Sequence, residues 1–271
     1  MWSVDLRSGT LEDREELLYE LLDRAPVDPA AAETVRAVVR DYQDHHRSLY
    51  TRALNRADAF VDASLREPLL AALADTRYNC QAWAAMGCAA GGFTEAVPTL
   101  LDLLDDRDWN IREQAVRALG RLGDASVVPA LAPLLRDPQE HPRQYAADAL
   151  ADIGGPEALE ALWHELEHRR FPRIGYIASN LARFTPAVLP RLAEAATSAD
   201  PNVRYWAAVA LGSTGDSFAA PILERLMATD HAATVFDGRV DVAAKKALRT
   251  LRRIQAAVAA RASGSADSAA G

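Results

Sequence analysis

Asn110-Ile111-Arg112-Glu113-Gln114-Ala115-Val116-Arg117-Ala118-Leu119-Gly120 and, ninety-two residues on, Asn202-Val203-Arg204-Tyr205-Trp206-Ala207-Ala208-Val209-Ala210-Leu211-Gly212 follow one pattern. In each, the apolar side chains return every three or four residues: Ile111, Ala115, Ala118, Leu119 and Leu122 in the first, Val203, Ala207, Ala210 and Leu211 in the second. That spacing puts them on one face of an α-helix, and alternation by two, the mark of a strand, is absent. The pattern repeats between and beyond these strings. Marker leucines stand at 119, 150, 181 and 211, about 31 residues apart. Prolines keep the same step at 98, 129, 190 and 221, with one missing between the second and third, and Gly123, Gly154 and Gly215 close the units. A sustained period of this length is the signature of stacked supersecondary units, each too small to bury its apolar face alone.

Each unit reads as two helices. The first opens near the proline, which is tolerated in a first turn because its missing N–H has no partner there anyway. It carries Val97, Leu100, Leu101 and Leu104 in one unit and Val128, Leu131, Leu134 and Leu135 in the next. A short polar break such as Asp105-Asp106-Arg107-Asp108 leads to the second helix, and the closing glycine is expected to supply a left-handed cap. The fold expected is all-α, an α-solenoid or superhelix of about six hairpins of roughly 31 residues. The units fall at 63–95, 96–126, 127–157, 158–187, 188–217 and 218–252. In the first, Met86-Gly87 is aligned with Leu119-Gly120; the last has about six extra residues between Thr229 and Val240. Residues 1–62 form an N-terminal helical cap. Thr10 and Asp13 make a capping box there, leading into Leu17, Leu18, Leu21 and Leu22, and after Pro26 and Pro29 a second helix runs from about Ala30 through Leu54. Residues 253–271 are the helix end and a tail whose small, weakly apolar composition predicts disorder.

The two quoted strings resemble the short HEAT-like repeats named after phycobilisome lyases, over roughly residues 63 to 252. The resemblance implies a solenoid whose second helices line a concave surface. It also implies that the arginine following the apolar residue, here Arg112, Arg143 and Arg204, pairs between repeats, while in the fourth unit Ile174 takes that place beside Arg173. Such repeats serve scaffolds, chaperones, lyase subunits and a few enzymes, so the fold is specified more sharply than the function.

Composition narrows the function. With 38 acidic against 30 basic residues the net charge is −8, which argues against a nucleic-acid partner, since phosphate contacts need a basic face; a local basic patch remains compatible with it. No apolar run approaches the ~20 residues of a membrane helix, and the start lacks the features of a secretory signal, so a cytoplasmic location and no membrane partner are expected. Cys80 and Cys88 are the only cysteines; eight residues apart on one helix, about 12 Å by helical rise, they do not bridge each other. Both are expected to turn partly away from the core stripe, as small packing residues rather than nucleophiles.

One catalytic string occurs, His164-Glu165-Leu166-Glu167-His168, the pattern in which two histidines one turn apart hold zinc. On its helix the apolar stripe is Leu159, Leu162, Trp163 and Leu166, and at 100° per residue both histidines lie about 160° from Leu166, towards solvent. No third-ligand motif follows. A diiron site of the kind some HEAT-like hydroxylases build would need several such pairs. Gly91-Gly92 and Gly154-Gly155 read as helix terminators rather than phosphate loops, and His45-His46 as a solvated pair. No catalytic residue, metal or cofactor is therefore assigned.

The candidate binding residues form a column. Five before the marker leucine stand Gln114, Tyr145, Tyr176 and Trp206, about 140° from the leucine stripe and so expected to face outward. Two before it are Arg117, Asp148, Ser179 and Val209, with Glu113 and Tyr205 flanking. Gln114, Tyr145, Asp148, Tyr176, Tyr205 and Trp206 are the site this predicts. The other reading of the rings is that they cover neighbouring helices. The column points to a non-enzymatic protein-binding scaffold or adaptor holding a peptide or partner domain. The alternative is a lyase- or chaperone-like accessory protein holding a small molecule or modification substrate.

Overall fold

The computed structural model describes residues 6–43, 47–76, 80–168, 171 and 174–268, with side chains through Arg261. They form helices and short 3₁₀ turns; the one β-type pairing among them is an isolated bridge between Ala233 and Arg239. No described helix is long and apolar enough to cross a membrane. The chain folds as two compact units, Met1–Ile153 and Gly154–Gly271.

The first unit begins with α1 (Leu11–Arg24), α2 (Pro29–Arg40) and α3 (Arg47–Leu54). Thr10 caps α1 as its sequence predicts: its hydroxyl accepts from the Asp13 N–H (3.2 Å), and the Asp13 carboxylate accepts from the Thr10 N–H (2.9 Å). The helix expected from Ala30 through Leu54 is two. Asp41 leaves helical geometry after Arg40, and α3 packs on both α1 and α2 with Leu49 and Tyr50 fully buried. Hairpins follow: α4 (Arg66–Ala74) with α5 (Gln81–Gly91), α6 (Val97–Asp102) with α7 (Trp109–Leu122), and α8 (Val128–Leu131) with α9 (Glu140–Ile153). Pro98 and Pro129 stand in the first turns of α6 and α8, each continued by a 3₁₀ turn.

The second unit repeats the plan: α10 (Gly155–Glu167) with α11 (Gly175–Leu181), α12 (Leu189–Ala195) with α13 (Pro201–Ser213), and α14 (Ala219–Thr229) with α15 (Val240–Ser268). Residues 256–261 of α15 are exposed, and its backbone continues helical through the stretch whose composition predicts disorder. Arg173 lies outside the described residues; Ile174 is buried at the start of α11.

Two devices hold hairpin to hairpin inside each unit. One is the arginine the repeat pattern singles out. Arg112 donates from Nε and Nη2 to both oxygens of Asp137 in the next hairpin (2.7 and 2.9 Å) and from Nη1 to the Asp106 carbonyl (2.7 Å). Arg204 does the same with Asp230 (2.6 and 3.1 Å) and the Ser198 carbonyl (2.7 Å). A planar guanidinium thus closes the polar break of its own hairpin and clamps that of its neighbour. The other device is close approach. A Cβ on Gly120 would lie 2.8 Å from that of Ala149, and one on Gly212 2.6 Å from that of Ala247. At these two positions any Cβ would meet the facing backbone, so glycine alone fits without moving it, and at the same register the other second helices carry the next smallest residue, Ala89, Ala151 and Ala182.

The closing glycines are not all alike. Gly92 is left-handed, and Gly154 and Gly215 have positive φ, but Gly123 is extended (φ −80°), and a side chain there would collide with Val127. Gly92 also corrects the register of the first hairpin. Its N–H bonds the Cys88 carbonyl as that of Gly123 bonds Leu119, so Cys88, not Met86, takes the marker place. Both cysteines are accordingly buried rather than turned from the core. Burial pushes the Cys88 thiol up to about 12 and also raises Cys80, which leaves neither as a thiolate near neutral pH.

Candidate functional site

On the first unit the corrected register starts the column one helix earlier, at Trp83 of α5, so that Trp83, Gln114 and Tyr145 stand on α5, α7 and α9. Trp83 and Tyr145 are half-buried and Asp148 is exposed, but Gln114 is only 4 % exposed. The outward direction expected of Gln114 is therefore corrected: its amide is drawn down between two charges. Its Nε2 donates to Glu113 Oε1 (3.1 Å) and its Oε1 accepts from Arg117 Nη1 (3.2 Å). Glu113, also buried, faces Arg117 (3.8 Å) and His141 Nδ1 (3.3 Å), and the imidazole of His141 meets the Trp109 ring edge-on (5.6 Å). The network holds the Arg117 guanidinium 4.7 Å above the ring of Tyr145, a cation–π stack. Beside it a hollow of about 200 Å³ is lined by Met86, Arg117, Arg121, Tyr145, Asp148, Ala149 and Asp152.

On the second unit Tyr176 and Tyr205 are half-buried, while Trp206 is 6 % exposed, again against the expected outward direction. The cause lies outside the period. The extra residues between α14 and α15 fold into a tight turn: Thr234 Oγ1 accepts from the Asp237 and Gly238 N–H groups (2.8 and 2.9 Å), and Val240 N–H donates to the Ala232 carbonyl (3.0 Å). Asp237 then accepts from Trp206 Nε1 at 3.2 Å. From below, Gly175 leaves room for the indole, a Cβ there lying 3.5 Å from it. Tyr205 packs edge-on against Trp206 at 5.0 Å, and burial, then the charge of Asp237, raises its phenol above its ordinary value. The tip of the turn leaves Val235 and Phe236 exposed.

His164 and His168 are exposed, as their helix wheel predicts. Their rings stack at 4.5 Å, with His168 Nδ1 3.3 Å from the His164 carbonyl, and Glu165 is buried with Oε1 3.5 Å from His164 Nδ1. Among the described residues no three His, Cys, Asp or Glu side chains come together as a metal-holding group. His45-His46 lie outside the described residues. A separate cleft of about 470 Å³ lies between α10, α12 and the start of α13, where Arg191 stacks 4.2 Å over the buried Trp163 and pairs with Glu160.

The column was legible in part. The 31-residue step from Gly92 to Gly123 is the signal that locates Trp83. Nothing periodic announces the cover over Trp206 or the Glu113–Arg117–His141 network.

Residues 66–147, 115–174 and 174–238 match a family model of HEAT repeats. Among solved structures, the chain is similar to the complex of CpcE and CpcF of phycocyanin lyase from Nostoc sp. PCC7120. There the identity is 23%, covering 83% of this chain and 95% of that one, with a TM-score of 0.47. An engineered protein aligns at 22% identity, covering 91% and 76%, with a TM-score of 0.50. Human deoxyhypusine hydroxylase in complex with glycerol aligns at 21%, covering 92% and 91%, with a TM-score of 0.37. At these identities the likeness concerns the fold alone. By sequence, no curated protein matches the chain.

Proposed function

The chain belongs to the HEAT-repeat proteins, and from that premise we propose that it is a non-catalytic protein-binding scaffold taking a peptide or partner domain on its second helices. The observation that carries this reading is the Arg117–Tyr145 stack, pre-positioned by Gln114 and Glu113 and bordered by exposed Asp148. A rigid aromatic with a fixed cation and a nearby acid is what a protein interface uses as an anchor. The adjoining hollow, about 200 Å³, is below the ~300–1,000 Å³ usual for small-molecule pockets and suits one inserted side chain. Trp83 and Tyr145 on one unit, and Tyr176 and Tyr205 on the other, are the contacting residues; Gln114 and Trp206 act beneath them as supports. A cytoplasmic location goes with this role.

The alternative, an accessory protein holding a small molecule, draws support from the 470 Å³ cleft. That cleft is lined by Glu167, His168, Arg191 and Glu194, and Arg191 is already committed to Trp163 and Glu160, so it supports the reading less. The test is affinity capture with the full chain and mass spectrometry, followed by calorimetry of the purified partner against wild type and Tyr145→Ala/Asp148→Ala. Tight binding lost in the folded double variant supports the scaffold. Unchanged binding moves the site elsewhere.

A further inference from the structure

Within the second unit α15 packs on α13 and α14, and among the described residues a further face of it is exposed. Aligned on Ala247 as α9 is on Ala149, α15 carries Arg249 at the register where the other second helices have Ala89, Gly120, Ala151, Ala182 and Gly212. The close approach that joins hairpins inside a unit needs a small residue there, so Arg249 bars another hairpin from stacking tightly. What remains open to that face is an ionic contact through long side chains.

Its charge is distinctive. In a chain of net charge −8, Lys245, Arg249 and Arg253 stand four residues apart on the exposed face of α15, and none is in an ion pair among the described residues. The opposite ladder occurs at the other end of the sequence. Glu12, Glu16 and Glu20 stand four apart on the exposed face of α1, likewise with no ion pair among the described residues. Like charges one helical turn apart repel within each ladder, and two ladders of the same step and opposite sign relieve both when laid together. Among the described residues α1 packs chiefly on α2 and α3, and Glu12, Glu16 and Glu20 are exposed.

We propose that the α15 face of one molecule docks on the α1 face of a second copy, Lys245, Arg249 and Arg253 against Glu12, Glu16 and Glu20. Such a contact is heterologous, and it propagates head to tail into open chains or closes into a ring. Being ionic and exposed, it is steered and stabilised at low salt and screened at high salt.

Sedimentation velocity of the full chain, loaded at up to about 0.1 mM, tests this at about 0.02 M and about 0.5 M sodium chloride. The expected result is concentration-dependent association at low salt that disappears at high salt. Glu16→Lys/Glu20→Lys and Arg249→Glu/Arg253→Glu, all at exposed positions past the first helical turn, should each leave the chain monomeric at low salt with an unchanged far-UV spectrum. The chain bearing all four reversals is complementary again and should regain association. A wild type that stays monomeric at low salt, single-end variants that associate like wild type, or a four-fold variant that stays monomeric would each overturn the proposal. Binding of the monomeric wild type to anionic vesicles or duplex DNA, lost in Arg249→Glu/Arg253→Glu, would assign the face to phosphate groups instead.

Discussion

Tyr145 on α9 and Trp206 on α13 occupy one register of the repeat, yet the structure treats them differently. Tyr145 keeps part of its ring in solvent under the Arg117 guanidinium, whereas Trp206 lies beneath the 230–239 turn and donates to Asp237. Their helices present the position alike. What differs is cover: the insertion between α14 and α15 folds over Trp206, whereas Tyr145 lies under a single guanidinium from the neighbouring helix α7. Register along a helix fixes the direction of a side chain, but insertions elsewhere decide whether that direction still leads to water. A column of aromatics therefore mixes anchors and core, and mutation separates the two.

The sharpest separation is Trp206→Ala. A ring this buried should cost roughly 3–5 kcal/mol, the range for removing a core aromatic, with a fall in melting temperature of several degrees by calorimetry. A loss within about 0.5 kcal/mol, as at a solvated site, would put Trp206 back among the exposed positions and end the contrast.

Next in size is the arginine clamp. Arg204 and Asp230 have side chains 17 % and 12 % exposed, so Arg204→Ala should cost about 2 kcal/mol, between the near-zero value of surface pairs and the ~3–5 kcal/mol of buried ones. The hydrogen bond from Arg204 holds the Asp230 carboxyl below its ordinary value. A depressed carboxylate stabilises the fold above its unfolded pKa of about 3.9, and that contribution is lost as pH falls through the lower folded value. Asp230→Asn should accordingly flatten the loss of stability below about pH 4, measured by urea denaturation across pH. An acid limb as steep as that of wild type would show that the pair contributes nothing.

A smaller effect is expected from Asp237→Ala, which removes the partner of the Trp206 indole. The cost should be about 1 kcal/mol, the net value of a typical hydrogen bond, and the tryptophan emission should shift to the red as the turn loosens. Unchanged emission would mean that Val240, Thr234 and Ala232 hold the cover without Asp237.

The parts of this molecule legible in sequence are those set by local periodicity. The leucine stripe, the prolines in first turns, the Thr10 cap and the arginines at 112 and 204 each act within a few residues or one repeat. Legibility failed where a residue's environment comes from outside its repeat. Met86-Gly87 imitates Leu-Gly and shifts the apparent register of the first hairpin by two residues, whereas Gly92 carries the phase the structure follows and with it the place of Trp83. The helical angle points Gln114 outward, but its amide finds Glu113 and Arg117 on its own helix and turns in. The break at Asp41 was hidden because Leu49 and Leu54 continue an apolar pattern that serves a separate helix.

Tyr145→Ala should have the smallest effect on stability and the largest on binding. Its ring is half-buried and its chief polar contact is the Arg117 stack, so truncation should remove about 0.5–1 kcal/mol, the size of an exposed cation–π contact. Arg117 itself stays anchored by Gln114 and Glu113, so the surface around the missing ring should keep its shape. For that reason the variant isolates the ring as a recognition element: the fold, the helix content and the charge are unchanged, and only an aromatic platform is gone. If the ring is an anchor, binding of the captured partner should weaken at least tenfold, about 1.4 kcal/mol, while the melting temperature moves by only a few degrees. Tyr145→Phe keeps the platform and should bind as wild type does. Should Tyr145→Ala instead unfold several degrees early and retain its partner, the first unit would prove to use its aromatic as the second does, as cover for neighbouring helices, and the contrast between the two would reduce to the length of one loop.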